Sequence, residues 1–389
     1  MRDAASAKLD ILFVLDNLTG GGAERAAVIL ANGLLERGHN VGMVLFRDHG
    51  VLRDRVAPGV AVSHLGAARA RQALWPLSRR IAALRPQVIV SFLPHANILA
   101  ILAAQLSGVG CSVVVTEHNQ PDETGAAWMS PGFRRSYRLA GLVYRLASAV
   151  VCCSPGVREA WAARDAVRAD RLHAVFNPVI GPGLEAASRE APSHPWAADG
   201  GPPLVVAACR LEPEKDLATL LRAFARLRAG RPARLLLLGE GSERPSLLAL
   251  AERLGVAADI AMPGFCANPF AVFRGADVLA MASLTEGFPT VMVEALACGL
   301  PVVMTDSLAP ADRRIAGSWV HATVPVGDDA ALAAAIAGAL DDPADRAALP
   351  GRVAGLTLAA SLDAYEAVLR RTLRSGGRQA MSGEAVQAG

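Results

Sequence analysis

The stretch DILFVLDNLTGGGAERAAVILANGLLERGHNVGMVLF, residues 10–46, opens with an apolar run at 11–15 and a glycine-rich turn at 19–22. An apolar-periodic stretch at 23–36, Gly38 and a second apolar run at 41–46 follow. A short continuous apolar run bounded by turn residues reads as a buried strand, whereas apolar positions recurring every three to four residues mark one face of a helix. Gly38 supplies the stop. The stretch therefore predicts strand, loop, helix and strand, a βαβ unit with parallel strands.

Further strand-like runs lie at 88–92, 112–116 and 149–153, with helical stretches between them. Together they predict an open parallel sheet with helices on both faces. Between 176 and 203 the pattern lapses into Asn177, Pro178, Gly181, Pro182 and Gly183, then Pro192, Pro195 and the run Gly200 to Pro203, which reads as an interdomain linker. The same grammar then restarts with a strand at 204–208, a helix at 217–228, a strand at 234–238 and a turn at Gly239-Glu240-Gly241. The predicted organisation is α/β in two domains, 8–185 and 200–361. A helix at 362–375 is expected to fold back on the N-terminal domain, with a flexible tail at 376–389. Two such domains would set the carboxyl ends of two parallel sheets across a cleft, where ligands of these sheets bind.

Composition agrees with this reading and excludes others. The 389 residues suit two domains at roughly 100–200 residues each, and 52% hydrophobic against 19% charged residues excludes general disorder. No uninterrupted apolar run reaches the ~18–20 residues that span a bilayer. The first ten residues lead straight into a strand-like run with no small-residue cleavage site, so a cytoplasmic chain is expected. Six cysteines, at 111, 152, 153, 209, 266 and 298, lack paired CxxC spacing and read as reduced thiols, with no metal site expected. A net charge of +3 is too small to imply nucleic acid. Only Lys8 and Lys215 are lysines among 39 basic residues, which makes Lys215 conspicuous.

Five segments carry candidate chemistry or contacts. In AMASLTEGFPTVMVEALACGLPVVMTD, residues 280–306, Glu286 and Gly287 follow a strand, Pro289 suits a first helical turn, and Glu294 lies inside the helix among Val291, Val293, Leu296 and Ala297. A carboxylate in such company is normally paired or ligand-bound. In RLEPEKD, 210–216, Arg210 and Lys215 meet a helix N-terminus after a strand, an arrangement suited to a diphosphate. The glycine run 20–22 opens a helix where a ligand can approach the backbone, but it matches neither GxGxxG nor GxxxxGK[ST]. No acidic residue ends the second strand, which argues against a nicotinamide enzyme. His118, in TEHN at 116–119, follows a strand and is expected to point into the cleft. Residues 133–151, FRRSYRLAGLVYRLASAVV, are basic and amphipathic; they read equally as a solvated helix edge and as a surface for anionic lipid.

These motifs resemble the family-4 retaining glycosyltransferases of the GT-B fold, two Rossmann-like βαβ domains. The resemblance extends through GGGAERA at 20–26, SFLPHAN at 91–97, TEHN, CCSPGV at 152–157, FNPV at 176–179, RLEPEKD, GEG at 239–241, GF at 264–265, EGFPTVMVEALACGLPVVMTD at 286–306 and VPVGD at 324–328. It implies a metal-independent hexosyltransferase that takes a nucleotide-diphosphate sugar, UDP-linked rather than GDP-linked, as co-substrate without a cofactor. The acceptor would be a saccharide or a lipid-linked saccharide in cell-surface polysaccharide or glycolipid synthesis, and the 133–151 stretch would make a peripheral contact with the inner membrane. Arg210 and Lys215 would neutralise the donor diphosphate, and Glu294 would hold the ribose. Glu286, with Gly287, Phe288 and Pro289, would meet the donor sugar and phosphates. His118 would lie against the sugar from the other domain, Gly21 and Gly22 would close on the diphosphate and acceptor, and domain closure would precede chemistry. Two departures stand out. Cys209 replaces a usual glycine beside the phosphate loop, and SLAPADRRI at 307–315 replaces a glycine-containing stretch with a glutamate. A sugar-nucleotide 2-epimerase of the same fold and a non-catalytic subunit of a synthesis complex are the competing expectations.

Overall fold

A computed structural model describes residues 7–121, 131–342 and 345–384. They form two compact units: one takes the chain up to Pro178 and again from Leu358, and the other takes Val179–Thr357.

The first unit is built on seven parallel strands: β1 (Asp10–Leu15), β2 (Asn40–Leu45), β3 (Ala61–His64), β4 (Val88–Phe92), β5 (Ser112–Glu117), β6 (Ala149–Cys152) and β7 (Leu172–Ala174). They lie in the order β3-β2-β1-β4-β5-β6-β7. β4 and β5 are buried at every residue, as strands covered by helices on both faces must be. The glycine run opens the Gly22–Glu36 helix, with Gly21 as its N-cap.

The last helix, Leu358–Glu384, belongs to this unit. Its Leu362, Tyr365, Val368 and Leu369 share one core with Leu30, Leu34 and strands β1, β2 and β4. Gly33 permits the approach, since a Cβ there would stand 2.7 Å from Leu362 Cδ1. Arg37 anchors the helix from outside through Asp363 at 2.8 Å and Glu366 at 2.9 Å. The helix starts before the expected 362 and passes the expected 375, so 376–384 are helical rather than a frayed tail. Residues 385–389 lie outside the described residues.

The second unit repeats the plan with six parallel strands: β8 (Leu204–Ala208), β9 (Arg234–Leu238), β10 (Ile260–Gly264), β11 (Val278–Met281), β12 (Val302–Thr305) and β13 (Ala322–Val324). Their order is β10-β9-β8-β11-β12-β13. Phe224, Leu235, Leu237, Val278 and Ile336 are among the fully buried residues of its core.

The expected linker at 176–203 requires correction, and with it the boundaries at 185 and 200. Residues 179–203 belong to the second unit and are fastened to it by hydrogen bonds. Ile180 N–H donates to Leu356 O at 3.1 Å. Asn268 Nδ2 donates to Ala187 O at 2.8 Å. The segment is thus held on the unit rather than left as a free connection.

In both sheets the strand order reverses once, between β1 and β4 and between β8 and β11. Ligands of open parallel sheets bind outside the carboxyl ends of the strands at such a reversal. Among the described residues no helix is long and apolar enough to cross a membrane.

Candidate functional site

At the β8/β11 reversal two loops meet. The first runs from Cys209 to Asp216; its Pro213–Lys215 turn is a 3-10 helix, and Asp216 caps the Leu217–Gly230 helix by accepting from Thr219 N–H at 3.3 Å and Thr219 Oγ1 at 2.7 Å. The second runs from Ser283 to Pro289 into the Thr290–Ala297 helix. Lys215 Nζ donates to Glu286 Oε1 at 2.7 Å, and Ser283 Oγ donates to the same oxygen at 2.7 Å. Leu284 N–H donates to Glu214 O at 2.9 Å, so the two loops are also tied through backbone.

Lys215 and Glu286 expose only 16% and 12% of their side chains. Burial alone would lower the Lys215 ammonium, but the Glu286 carboxylate beside it prevails and raises it. Arg210 donates to Glu214 at 2.6 Å with most of its own side chain in solvent. Each cation thus has a carboxylate partner, and an incoming anion competes with that carboxylate for it. One anion with several oxygens gains from both cations.

The Gly239-Glu240-Gly241 turn supports this loop. Gly239 holds φ +136°, and a Cβ on it would stand 1.9 Å from Cys209 O; one on Gly241 would stand 2.3 Å from Leu211 O. Leu211 N–H donates to Glu240 O at 2.9 Å, and Glu212 accepts from Ser242 N–H at 3.0 Å and Ser242 Oγ at 2.7 Å. Cys209 itself is not among the residues with positive φ, so its side chain is carried without left-handed strain. Burial pushes its thiol up to about 12.

Glu294 is 4% exposed on the Thr290–Ala297 helix, flanked by buried Val293 and Ala295. Gly287, Phe288 and Pro289 are buried, and Phe288 meets Trp319 edge-on with centroids 6.4 Å apart. The divergent 307–315 segment becomes the Pro310–Ala316 helix, and Ser307 O accepts from Glu286 N–H at 2.9 Å. That segment therefore fixes the backbone of Glu286 directly.

His118 belongs to the first unit. Its ring stacks on Phe92 at 5.5 Å, and its Nε2 lies 3.1 Å from Thr116 Oγ1. Thr116 spends its one hydroxyl proton on Ser91 O at 2.9 Å, so its oxygen can only accept from His118. The imidazole is then the Nε2–H tautomer, with Nδ1 a buried lone pair that has no partner among the described residues. Burial holds its pKa down at about 4, so the ring is neutral near pH 7.

Two clusters in this unit escaped the sequence reading. At the β1/β4 reversal Asp16 accepts from Arg47 Nε at 3.1 Å and lies 3.5 Å from His95 Nε2. Burial would raise its carboxyl, yet His95 and Arg47 hold it at about 2. Asp16 follows β1 directly and His95 follows β4, a position in the fold that could have marked both. Glu117, beside His118, is fully buried; its Oε1 accepts from Tyr144 OH and from Asn97 Nδ2 at 3.1 Å, and its Oε2 has no partner among the described residues. Burial outweighs these two donors and pushes its carboxyl up to about 8. Gly21 and Gly22 stand at the head of their helix, and a Cβ on Gly21 would meet Glu24 Oε2 at 2.4 Å. Of the expected site residues, Lys215 and Glu286 make direct contact, Arg210 and Glu294 lie in the same unit, and His118, Gly21 and Gly22 lie in the other.

Residues 188–351 match the family Glycosyl transferases group 1, and residues 20–180 match Glycosyltransferase Family 4. The lipopolysaccharide core biosynthesis glycosyltransferase LpsE of Rhizobium meliloti is 30% identical over 75% of this chain and 77% of its own. A 4-alpha-N-acetylgalactosaminyltransferase of Campylobacter jejuni, named for a diphospho-undecaprenol substrate, is 36% identical over 26% of this chain and 27% of its own. HepE of Anabaena in complex with UDP superposes with a TM-score of 0.68 at 20% identity, over 97% of this chain and 100% of its own.

Proposed function

The chain belongs to the family-4 glycosyltransferases of GT-B fold, and from that membership we propose that it moves a hexose or N-acetylhexosamine from a nucleotide-diphosphate sugar, UDP-linked in preference to GDP-linked, to a saccharide or lipid-linked acceptor. The pathway served is lipopolysaccharide or another surface polysaccharide. The observation that carries the donor reading is the Lys215–Glu286 contact at the β8/β11 reversal, with Arg210 on the same loop.

In this reading Arg210 and Lys215 take the diphosphate in place of a metal ion. Negative charge grows on the leaving diphosphate as the glycosidic bond breaks, so cations fixed there stabilise the transition state more than the ground state. Glu286, released from Lys215, turns to the donor sugar together with the backbone of Gly287, Phe288 and Pro289. Glu294 accepts from the ribose hydroxyls. His118, with a lone pair on Nδ1, accepts a hydroxyl of the sugar, and Gly21 and Gly22 admit the diphosphate and acceptor close to the backbone. Transfer proceeds with retention through an oxocarbenium-like transition state, and no side chain acts as covalent nucleophile.

The test is thermal unfolding of the purified chain with UDP, GDP, ADP and their common sugar conjugates, with and without EDTA. A rise in melting temperature with the uridine compounds that survives EDTA and disappears in Glu294→Ala is expected. A rise that EDTA abolishes would overturn metal independence, and no rise with any nucleotide would overturn the donor reading.

A further inference from the structure

Thr116 and His118 lie two residues apart at the carboxyl end of β5, and one hydrogen bond joins their side chains. Buried partners fix everything on the threonine side of that bond. The Thr116 hydroxyl donates to Ser91 O at 2.9 Å, and the Thr116 carbonyl accepts from Asn97 Nδ2 at 2.9 Å. Asn97, itself fully buried, accepts from Ser91 Oγ at 2.8 Å, so Ser91, Asn97 and Thr116 close a ring of hydrogen bonds between β4 and β5. The hydroxyl oxygen of Thr116 has only lone pairs left to offer His118. A column of rings sets the plane of the imidazole: Phe13 stacks on Phe92 with centroids 5.9 Å apart, and Phe92 stacks on His118 at 23°.

Burial keeps this imidazole neutral, so it carries one proton. That proton goes where an acceptor waits, at Nε2. Placed on Nδ1 instead, it would set a bare Nε2 against the lone pairs of Thr116 and leave a buried N–H with no partner among the described residues. Nδ1 is therefore a pure acceptor, and a pure acceptor selects its ligand. It is satisfied by a group with a proton to give, and it meets a carboxylate acceptor to acceptor.

We infer that Thr116 is a specificity-determining residue of the positioning kind: by holding His118 as the Nε2–H tautomer, it makes Nδ1 select an uncharged hydroxyl or acetamido N–H of the donor sugar and reject a carboxylate. The inference rests on the reading that His118 meets the donor sugar. Thr116 acts through His118 and needs no contact with the sugar itself.

Two measurements test it. Nitrogen NMR of the isotope-labelled full chain without ligand, with the His118 signals identified by their loss in His118→Ala, reads the tautomer. Wild type and Thr116→Ser should show a protonated Nε2 and a bare Nδ1. Thr116→Val keeps the shape and removes the acceptor, so its ring should shift toward protonation on Nδ1. A wild-type ring protonated on Nδ1 would overturn the inference, whether or not Thr116→Val folds, and so would an unchanged tautomer in Thr116→Val. Calorimetry reads the selectivity, with UDP-glucose, UDP-galactose, UDP-N-acetylglucosamine and UDP-N-acetylgalactosamine as parents and analogues in which fluorine replaces one sugar hydroxyl at a time. Fluorine is close to a hydroxyl in size and has no proton to give. At one position the analogue should bind wild type and Thr116→Ser at least about tenfold more weakly than its parent. That penalty should fall below about threefold in both His118→Ala and Thr116→Val. A penalty that His118→Ala does not relieve, or no binding by any parent, would overturn the placing of His118 at the donor sugar and the inference with it. A penalty relieved by His118→Ala and kept in full by Thr116→Val would leave that placing intact and overturn the role of Thr116.

Discussion

Lys215 and Glu286 are 71 residues apart in sequence and 2.7 Å apart in space, and what one does without the other can be worked out from charge. Lys215→Ala removes a cation whose effect grows as the leaving group gains charge, so turnover should fall by about 10²–10³-fold. Donor affinity should weaken less than turnover. The same change leaves Glu286 as an uncompensated carboxylate facing the donor. Lys215→Ala/Glu286→Gln should therefore bind donor more tightly than Lys215→Ala alone, a coupling that calorimetry on the two variants would read. Unchanged turnover in Lys215→Ala would make Lys215 an ordinary structural ion pair. Glu117 gives a second prediction at this scale. Its carboxyl titrates near 8 when folded and near the ordinary carboxylate value when unfolded, so the folded state holds the extra proton. Its contribution is intact below about pH 4 and is lost as pH rises from there to about 8. Glu117→Gln should flatten the decline in unfolding free energy between pH 5 and 8, by more than about 1 kcal/mol over that range. Urea denaturation of both proteins at several pH values measures it, and parallel slopes would show that the carboxyl is ionised in the fold.

At the scale of elements, the strands that could be read from sequence are the inner ones. β4 and β5 are buried along their whole length because helices cover both faces, and their apolar runs at 88–90 and 113–115 have counterparts in β1, β2, β8, β9, β11 and β12. β3, β7, β10 and β13 gave no such pattern, and all four are sheet edges. An edge strand is short and half-exposed, as in AVSH at Ala61–His64 and ATV at Ala322–Val324, so its composition does not separate it from a loop. Site residues divide in the same way. Both members of the Lys215–Glu286 pair stood out in the sequence, Lys215 as one of two lysines in the chain and Glu286 as a charge following a strand, and Glu294 stood out as a charge among apolar neighbours. The pairing of Asp16 with His95 was not legible, because it depends on β1 and β4 becoming neighbours across an intervening 72 residues of chain. Gly239-Glu240-Gly241 was legible as a turn, and its purpose emerges only in space. Gly239→Ala would set a Cβ 1.9 Å from Cys209 O at a φ of +136°, so backbone must move where the 209–216 loop begins. A loss of roughly 2–4 kcal/mol of stability in the second unit is expected, with weakened donor binding in the variant that survives. Chemical denaturation reads the first and a thermal-shift titration the second; wild-type values in both would remove the turn from the site.

Over the whole molecule, the two units differ in how their chain is assembled. Among the described residues the second is one continuous segment, Val179–Thr357, with its own six-stranded sheet and its own buried core. The first is discontinuous, because Leu362, Tyr365, Val368 and Leu369 complete a core begun by β1, β2 and the Gly22–Glu36 helix. Each of those side chains is worth roughly 1.5–3 kcal/mol when buried, which together rivals the ~5–15 kcal/mol that holds an ordinary domain folded. A chain truncated after Thr357 should therefore lose the first unit as a cooperative structure and keep the second. The isolated 179–357 segment carries Arg210, Lys215, Glu286 and Glu294, so it should unfold in a single cooperative transition and still bind UDP, with no transfer activity because His118 and the glycine run are missing. Circular dichroism melts and calorimetry on the segment test both statements. A segment that folds but binds no nucleotide would show that the donor site needs residues of the first unit, whereas a segment that fails to fold would show that the second core draws on contacts beyond its own chain.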